Sequence, residues 1–163
     1  MEWTREGFEA AGFDGFVRFA ELPERDVPQV PGVYVVLRDT DAQPEFLQAS
    51  PGGRFESKDP TVSLDQLQKK WNDEVRLLYV GQASGRGASG GLARRLDQYR
   101  KFGDGKPVAH WEGRYVWQLA DAADLLVAWR TSPRRVEPRV EAARLLAEFR
   151  WEHRRLPFAN LRW

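Results

Sequence analysis

The run Val33-Tyr34-Val35-Val36-Leu37, opened by a turn at Pro31-Gly32 and closed by Arg38-Asp39, is a β-branched apolar stretch that predicts a buried strand. A second run, Val75-Arg76-Leu77-Leu78-Tyr79-Val80-Gly81, predicts another. Residues 39–74 between them are rich in Pro, Gly and Asp and hold one short capped helix, Ser63 to Trp71, so they read as an insertion between two paired strands. Residues 1–30 carry Phe8, Ala11 and Gly12, then Phe16, Phe19 and Ala20, at helical spacing. They close at Pro23 and Pro28 and predict an N-terminal extension of one or two short packing helices.

Downstream of Gly81 a glycine-rich loop leads into a helix whose Leu92, Leu96 and Tyr99 share one face and which fails at Gly103. Tyr115 to Leu119 and Leu125 to Trp129 read as a strand pair joined by a hairpin connection. In the last helix Pro138 suits the first turn, Ala142, Leu145, Leu146, Phe149 and His153 form one inward face, and Pro157 stops the run. Strand and helix alternate too seldom for a doubly wound sheet. The expectation is a single α/β (α+β) domain over residues 1–163, with a small, mainly antiparallel sheet flanked by helices.

The whole-chain properties set the function classes. The 163 residues include no cysteine and only two histidines, His110 and His153, which rules out disulfide frameworks, thiolate zinc sites and histidine-rich metal sites. No apolar stretch reaches the ~18 residues of a membrane helix and the N-terminus is charged, so a soluble, cytoplasmic protein without a membrane partner is expected. The net charge of +1 conceals an asymmetry. Residues 1–75 carry 8 basic and 15 acidic side chains, whereas residues 76–163 carry 17 and 9. A basic second half is what a phosphate-binding face requires, although charge runs are more often solvated surface.

Gly32-Val33-Tyr34 in the first strand and Tyr79-Val80-Gly81 in the second resemble the two signatures of the GIY-YIG nuclease family. The helix Leu92 to Tyr99, the carboxylate-bearing last helix and the terminal Pro157-Phe158-Ala159-Asn160 follow in the family's order. The resemblance implies a metal-dependent endonuclease that hydrolyses phosphodiester bonds, with DNA as the expected partner, RNA not excluded, and Mg²⁺ or Mn²⁺ as cofactor. It would make Tyr34 the general base, Tyr79 a contact to the water or phosphate, Arg95 a phosphate clamp with Tyr99 one turn on, and Asn160 the residue that completes the pocket. Glu141 would hold the metal, with Glu148 in reserve. Gln82, Arg86, Arg94, Arg100 and Lys101 would contact nucleic acid.

The residue types suit the chemistry. Phosphodiester hydrolysis needs an activated water, stabilised charge on phosphorus and a neutralised leaving alkoxide. A permanently charged planar guanidinium matches phosphate oxygens, and a single carboxylate leaves most of a Mg²⁺ shell to water and substrate. Two positions depart from the pattern. Gln82 stands where relatives often carry lysine, and Glu141 is out of register with the apolar pair Leu145-Leu146. The alternative is the same scaffold as a catalytically inactive nucleic-acid-binding or protein-interaction module. Gly85 to Gly90 also satisfies G-x-G-x-x-G, but the glycines start four residues after the strand and no βαβ repeat accompanies them, which argues against dinucleotide binding.

Overall fold

The computed structural model describes residues 1–85 and 90–162. Four strands, β1 (Asp14–Arg18), β2 (Gly32–Leu37), β3 (Leu77–Ala83) and β4 (Leu126–Thr131), form one sheet in the order β1-β4-β2-β3, with every neighbouring pair antiparallel. Helices α1 (Arg5–Ala10), α2 (Leu64–Lys70), α3 (Gly91–Gly103) and α4 (Pro138–His153) flank it. The fold is thus α+β with an antiparallel sheet. No helix among the described residues is long and apolar enough to cross a membrane.

All six residues of β2 are buried because the strand is central and both its faces are covered. Tyr34 and Val36 point into a core built with Leu92, Leu96, Tyr99 and Phe102 of α3. Val33, Val35 and Leu37 point into a second core with Phe8 of α1 and Leu145, Leu146 and Phe149 of α4. A continuous apolar run is what a strand between two helical layers demands.

The pairing of β2 with β3 carries one irregularity that matters for function. Tyr34 faces Gly81 and Val36 faces Tyr79, but Leu37 faces Leu77, so Leu78 is an extra residue. Continued without that bulge, the Leu37–Leu77 register would set Tyr79 opposite Val35 and turn its ring to the other face. The bulge brings both phenols to one side of the sheet.

Strand β3 lies at the edge of the sheet, where unpaired backbone groups invite misassociation. The C-terminal segment covers it. Ala159 N–H donates to Leu78 O at 2.8 Å. The Asn160 side chain imitates a strand, its Oδ1 accepting from Val80 N–H and its Nδ2 donating to Val80 O, both at 2.9 Å.

Two sequence expectations are corrected. Residues 1–30 are not purely helical, because β1 lies within them. Gly15 (φ +95°) and Phe16 (φ +53°) form a bulge against β4 that breaks the two-residue alternation and leaves the phenylalanine spacing looking helical. Tyr115 to Leu119 is not a strand paired with β4 through a hairpin. Tyr115 to Gln118 belong to a 3₁₀ segment, Glu112–Gln118, whose apolar character reflects burial rather than pleating, and Leu119 after it makes an isolated antiparallel bridge to Phe46. Gln118 fixes that segment through its side chain, accepting from Val62 N–H and donating to Val62 O and Leu47 O. The same bonds tie down the interval 39–74, in which Ser63 caps α2 as its sequence suggests.

Candidate active site

Strand pairing places Gly81 under the ring of Tyr34, and a Cβ at position 81 would lie 2.2 Å from Tyr34 Cζ. The absent side chain lets the phenol lie flat across β3. Tyr34 is fully buried, and its hydroxyl is 3.0 Å from His110 Nε2. The imidazole stacks on Tyr99, with ring centres 3.7 Å apart and planes within 2°. Tyr99 is fixed by a 2.8 Å hydrogen bond from its hydroxyl to Gly113 O, and a Cβ at 113 would strike that hydroxyl. Tyr79 completes the cluster, its ring centre 6.0 Å from that of Tyr34 and 5.7 Å from that of Tyr99. Three phenols from β2, β3 and α3 therefore enclose one histidine from the segment after α3.

Arg95, one turn before Tyr99 on α3, donates to Ala109 O at 3.1 Å and so anchors the backbone that carries His110. Its charge acts on the cluster. Burial raises Tyr34 above the ordinary phenol value, opposed in part by the charge of Arg95 and by hydrogen bonds from Arg95 and Tyr79. Burial raises Tyr79 and Tyr99 further. Burial, followed by the charge of Arg95, lowers His110 well below the ordinary imidazole value. At neutral pH the three phenols are protonated and the imidazole is uncharged. His110 Nδ1 is buried and finds no partner among the described residues.

Over this cluster opens a groove of about 230 Å³, lined by Tyr79, Val80, Gly81 and Gln82 of β3, Arg95 of α3, Glu112, Arg139, Ala142, Ala143 and Leu146 of α4, and Asn160 and Arg162 of the C-terminal segment. Tyr34 lies beneath the groove rather than in its wall. A second hollow of about 350 Å³ continues from it through the shared Gln82 and Arg95 to Ser84, Gly90, Gly91, Arg94 and Gln98. The first amides of α3 are already occupied, since Gly91, Leu92 and Ala93 donate to Ser84 O, Val30 O and Pro28 O. These three amides are not free for a diphosphate, and residues 86–89 of the glycine motif lie outside the described residues.

The structure gathers Tyr34, Tyr79, Arg95, Tyr99 and Asn160 within one region, but the glutamates of α4 stand elsewhere. Glu141 does not line the groove. It accepts from Arg130 Nη2 at 3.3 Å and from Ser132 Oγ, joining α4 to the end of β4. Glu148 faces outward and pairs with Arg144 at 3.7 Å. Helix α4 meets the groove through Arg139, Ala142, Ala143 and Leu146, none of which can hold a cation. The carboxylate that lines the groove is Glu112, paired with Arg162 at 2.8 Å. Asn160 lines the groove too, although its amide is committed to Val80.

Of the residues expected to contact nucleic acid, Gln82 lines both hollows and Arg94 the second. Arg100 is held by Asp97 and Asp104, and Lys101 by Asp97, on the flank of α3. Arg86 lies outside the described residues. Sequence reasoning missed His110 as a cluster member and Glu112 as the groove carboxylate. His110 occupies irregular chain after α3 and Glu112 opens the 3₁₀ segment, where neither the strand nor the α-helical period marks a facing side.

Among the described residues no group of three or more His, Asp or Glu side chains could cage a metal ion. Glu112 fits a looser role. Its side chain is 45% exposed and its partner Arg162 is 79% exposed, so the pair can open. One such carboxylate, completed by water and substrate oxygens, is the donor set Mg²⁺ uses at phosphates. Comparison with protein-family models, curated proteins and solved structures finds no match for the chain.

Proposed function

We propose that the chain is a divalent-metal-dependent endonuclease of GIY-YIG type that hydrolyses a phosphodiester bond in DNA. The observation that carries the reading is that Tyr79, Arg95 and Glu112 line one groove directly above the hydrogen-bonded pair Tyr34–His110. Three arginines, Arg95, Arg139 and Arg162, share that groove with one carboxylate, which suits a polyanion.

In this reading Arg95 clamps the scissile phosphate and opposes the charge that builds on its oxygens. Glu112 would hold Mg²⁺ or Mn²⁺, which supplies Lewis-acid stabilisation of the phosphate and acidifies a bound water. Neither buried phenol is a preformed base, because burial holds both protonated. A phenol can accept a proton from water only by releasing its own. The Tyr79 ring packs beside that of Tyr34, their centres 6.0 Å apart, and the Tyr34 hydroxyl faces His110 Nε2 at 3.0 Å, an order that suits a relay. As the water oxygen bonds to phosphorus, its proton passes to Tyr79 Oη, the Tyr79 proton to Tyr34 Oη and the Tyr34 proton to His110 Nε2. The P–O bond to the leaving group breaks, and the alkoxide takes a proton from solvent. A bound phosphate offsets the Arg95 charge that depresses His110, so substrate makes the imidazole a better acceptor.

The test is to incubate purified protein with linear, nicked, branched and single-stranded DNA and with RNA, in Mn²⁺ and in excess chelator. Cleavage of a DNA substrate that disappears with chelator is expected, and no cleavage of any substrate would overturn the reading.

One observation favours a second reading. The groove wall of α4 is alanine and leucine where a catalytic carboxylate could stand, and Glu112 is neutralised by Arg162. This arrangement would serve a phosphate-binding module without turnover. Such a module would bind DNA with a steep negative salt dependence in the same assay while leaving it intact.

A further inference from the structure

Resting on that nuclease reading, we propose that Arg162 is an exchangeable counter-ion: it holds Glu112 in the free protein and moves to a substrate phosphate when nucleic acid enters, releasing the carboxylate to bind metal.

The pair is asymmetric. Arg162 gives Glu112 a single contact, Nε to Oε1 at 2.8 Å, and its two terminal nitrogens make no other hydrogen bond among the described residues. Those nitrogens are the fork that grips phosphate oxygens. The residue is tethered rather than loose, because Asn160, two positions earlier, is locked to Val80 by both ends of its amide. The guanidinium can therefore swing across the groove without leaving it. Of the other groove arginines, Arg95 is tied to Ala109 O and Arg139 only grazes Glu137 at 3.9 Å.

The carboxylate has two claimants for one charge. With the groove empty, Arg162 competes with any divalent cation for Glu112. A phosphodiester offers Arg162 a charged, bidentate alternative and brings its own oxygens to the cation. Binding of metal and of nucleic acid is thus coupled, each promoting the other by the same factor. The protein would gather its cation at the moment a substrate is in place.

The experiment is a Mn²⁺ titration followed by electron paramagnetic resonance on wild type, Arg162→Ala and Glu112→Gln, with and without a phosphorothioate oligonucleotide that resists cleavage. Because the Arg162 side chain is 79% exposed, its alanine variant should fold normally, which a thermal melt checks. Without oligonucleotide Arg162→Ala should bind Mn²⁺ roughly threefold tighter than wild type, the scale of an exposed ion pair. The oligonucleotide should tighten Mn²⁺ binding in wild type and much less in Arg162→Ala. The slope of log oligonucleotide affinity against log salt should fall by about one unit in the variant. If Arg162→Ala binds Mn²⁺ as wild type does while Glu112→Gln loses the site, the exchange is overturned and the metal site stands. If Glu112→Gln binds Mn²⁺ unchanged, both are overturned.

Discussion

Glu112→Gln is expected to lower metal-dependent cleavage by roughly 10³-fold, while Glu141→Gln leaves the rate per folded molecule within about twofold. Among the described groove-lining residues Glu112 is the one carboxylate, whereas Glu141 sits outside the lining with Arg130 and Ser132. The two substitutions are equally conservative and should separate in opposite ways. Glutamine at 112 removes the charge that would hold a cation but disturbs only an exposed ion pair, so stability should change by less than about 1 kcal/mol. Glutamine at 141 leaves the groove alone and weakens a part-buried contact between α4 and β4, with a stability cost of about 1–2 kcal/mol. Cleavage rates and urea melts on the two proteins check the pair. Equal loss of cleavage in both would move the carboxylate role away from Glu112.

Gly81→Ala is expected to destabilise the fold by about 3 kcal/mol, near the upper end for overpacking a rigid core. The added methyl would sit 2.2 Å from Tyr34 Cζ and 2.4 Å from its hydroxyl oxygen. Neither side can give way cheaply. Gly81 is held in the ladder opposite Tyr34, and the Tyr34 ring is surrounded by Tyr79, Tyr99 and His110. For a chain of this size the loss corresponds to a fall in melting temperature of roughly 6–12 °C. Molecules that do fold would have Tyr34 displaced from His110, so their cleavage should fall as well. A urea melt within about 0.5 kcal/mol of wild type would show that the phenol does not lie where the packing requires it.

The reason β2 was readable from sequence is physical. A strand buried on both faces has no polar alternation to lose, and Val33 to Leu37 is apolar throughout. Helices α3 and α4 were readable because Leu92, Leu96 and Tyr99, and Ala142, Leu145, Leu146 and Phe149, repeat at the helical period against those same faces. Strand β1 escaped because its bulge at Gly15 and Phe16 destroys the period on which recognition depends. Tyr115 to Leu119 misled for the converse reason, since aromatic and β-branched residues signal burial as readily as pleating, and the Gln118 contacts that fix them cannot be read from one segment.

The candidate site divides along the same line. Tyr34, Tyr79, Arg95 and Tyr99 lie on regular elements and were singled out by the family resemblance, while the face that Tyr79 takes depends on the bulge at Leu78. What spacing could not supply was depth. Tyr34 is sealed beneath the groove and Tyr79 forms its wall, a difference set by the bulge at Leu78 and the cover of Asn160. A helical wheel places Glu141 at the edge of the core but does not say that Arg130 of β4 and Ser132 just after it will claim it. His110 lies in irregular chain and Glu112 at the start of a 3₁₀ segment, outside any strand or α-helical period, and only the three-dimensional packing of α3 against this segment puts them beside the phenols.

The proposed function requires joint binding of a divalent cation and a phosphodiester in the groove above Tyr34 and His110. It is tested most directly by crystals grown with Mn²⁺ and a short phosphorothioate oligonucleotide, using the anomalous signal of manganese. A peak is expected beside the Glu112 carboxylate, with a phosphate between it and the Arg95 guanidinium. Manganese at Glu141 or Glu148, or a phosphate bound away from Arg95, would contradict it.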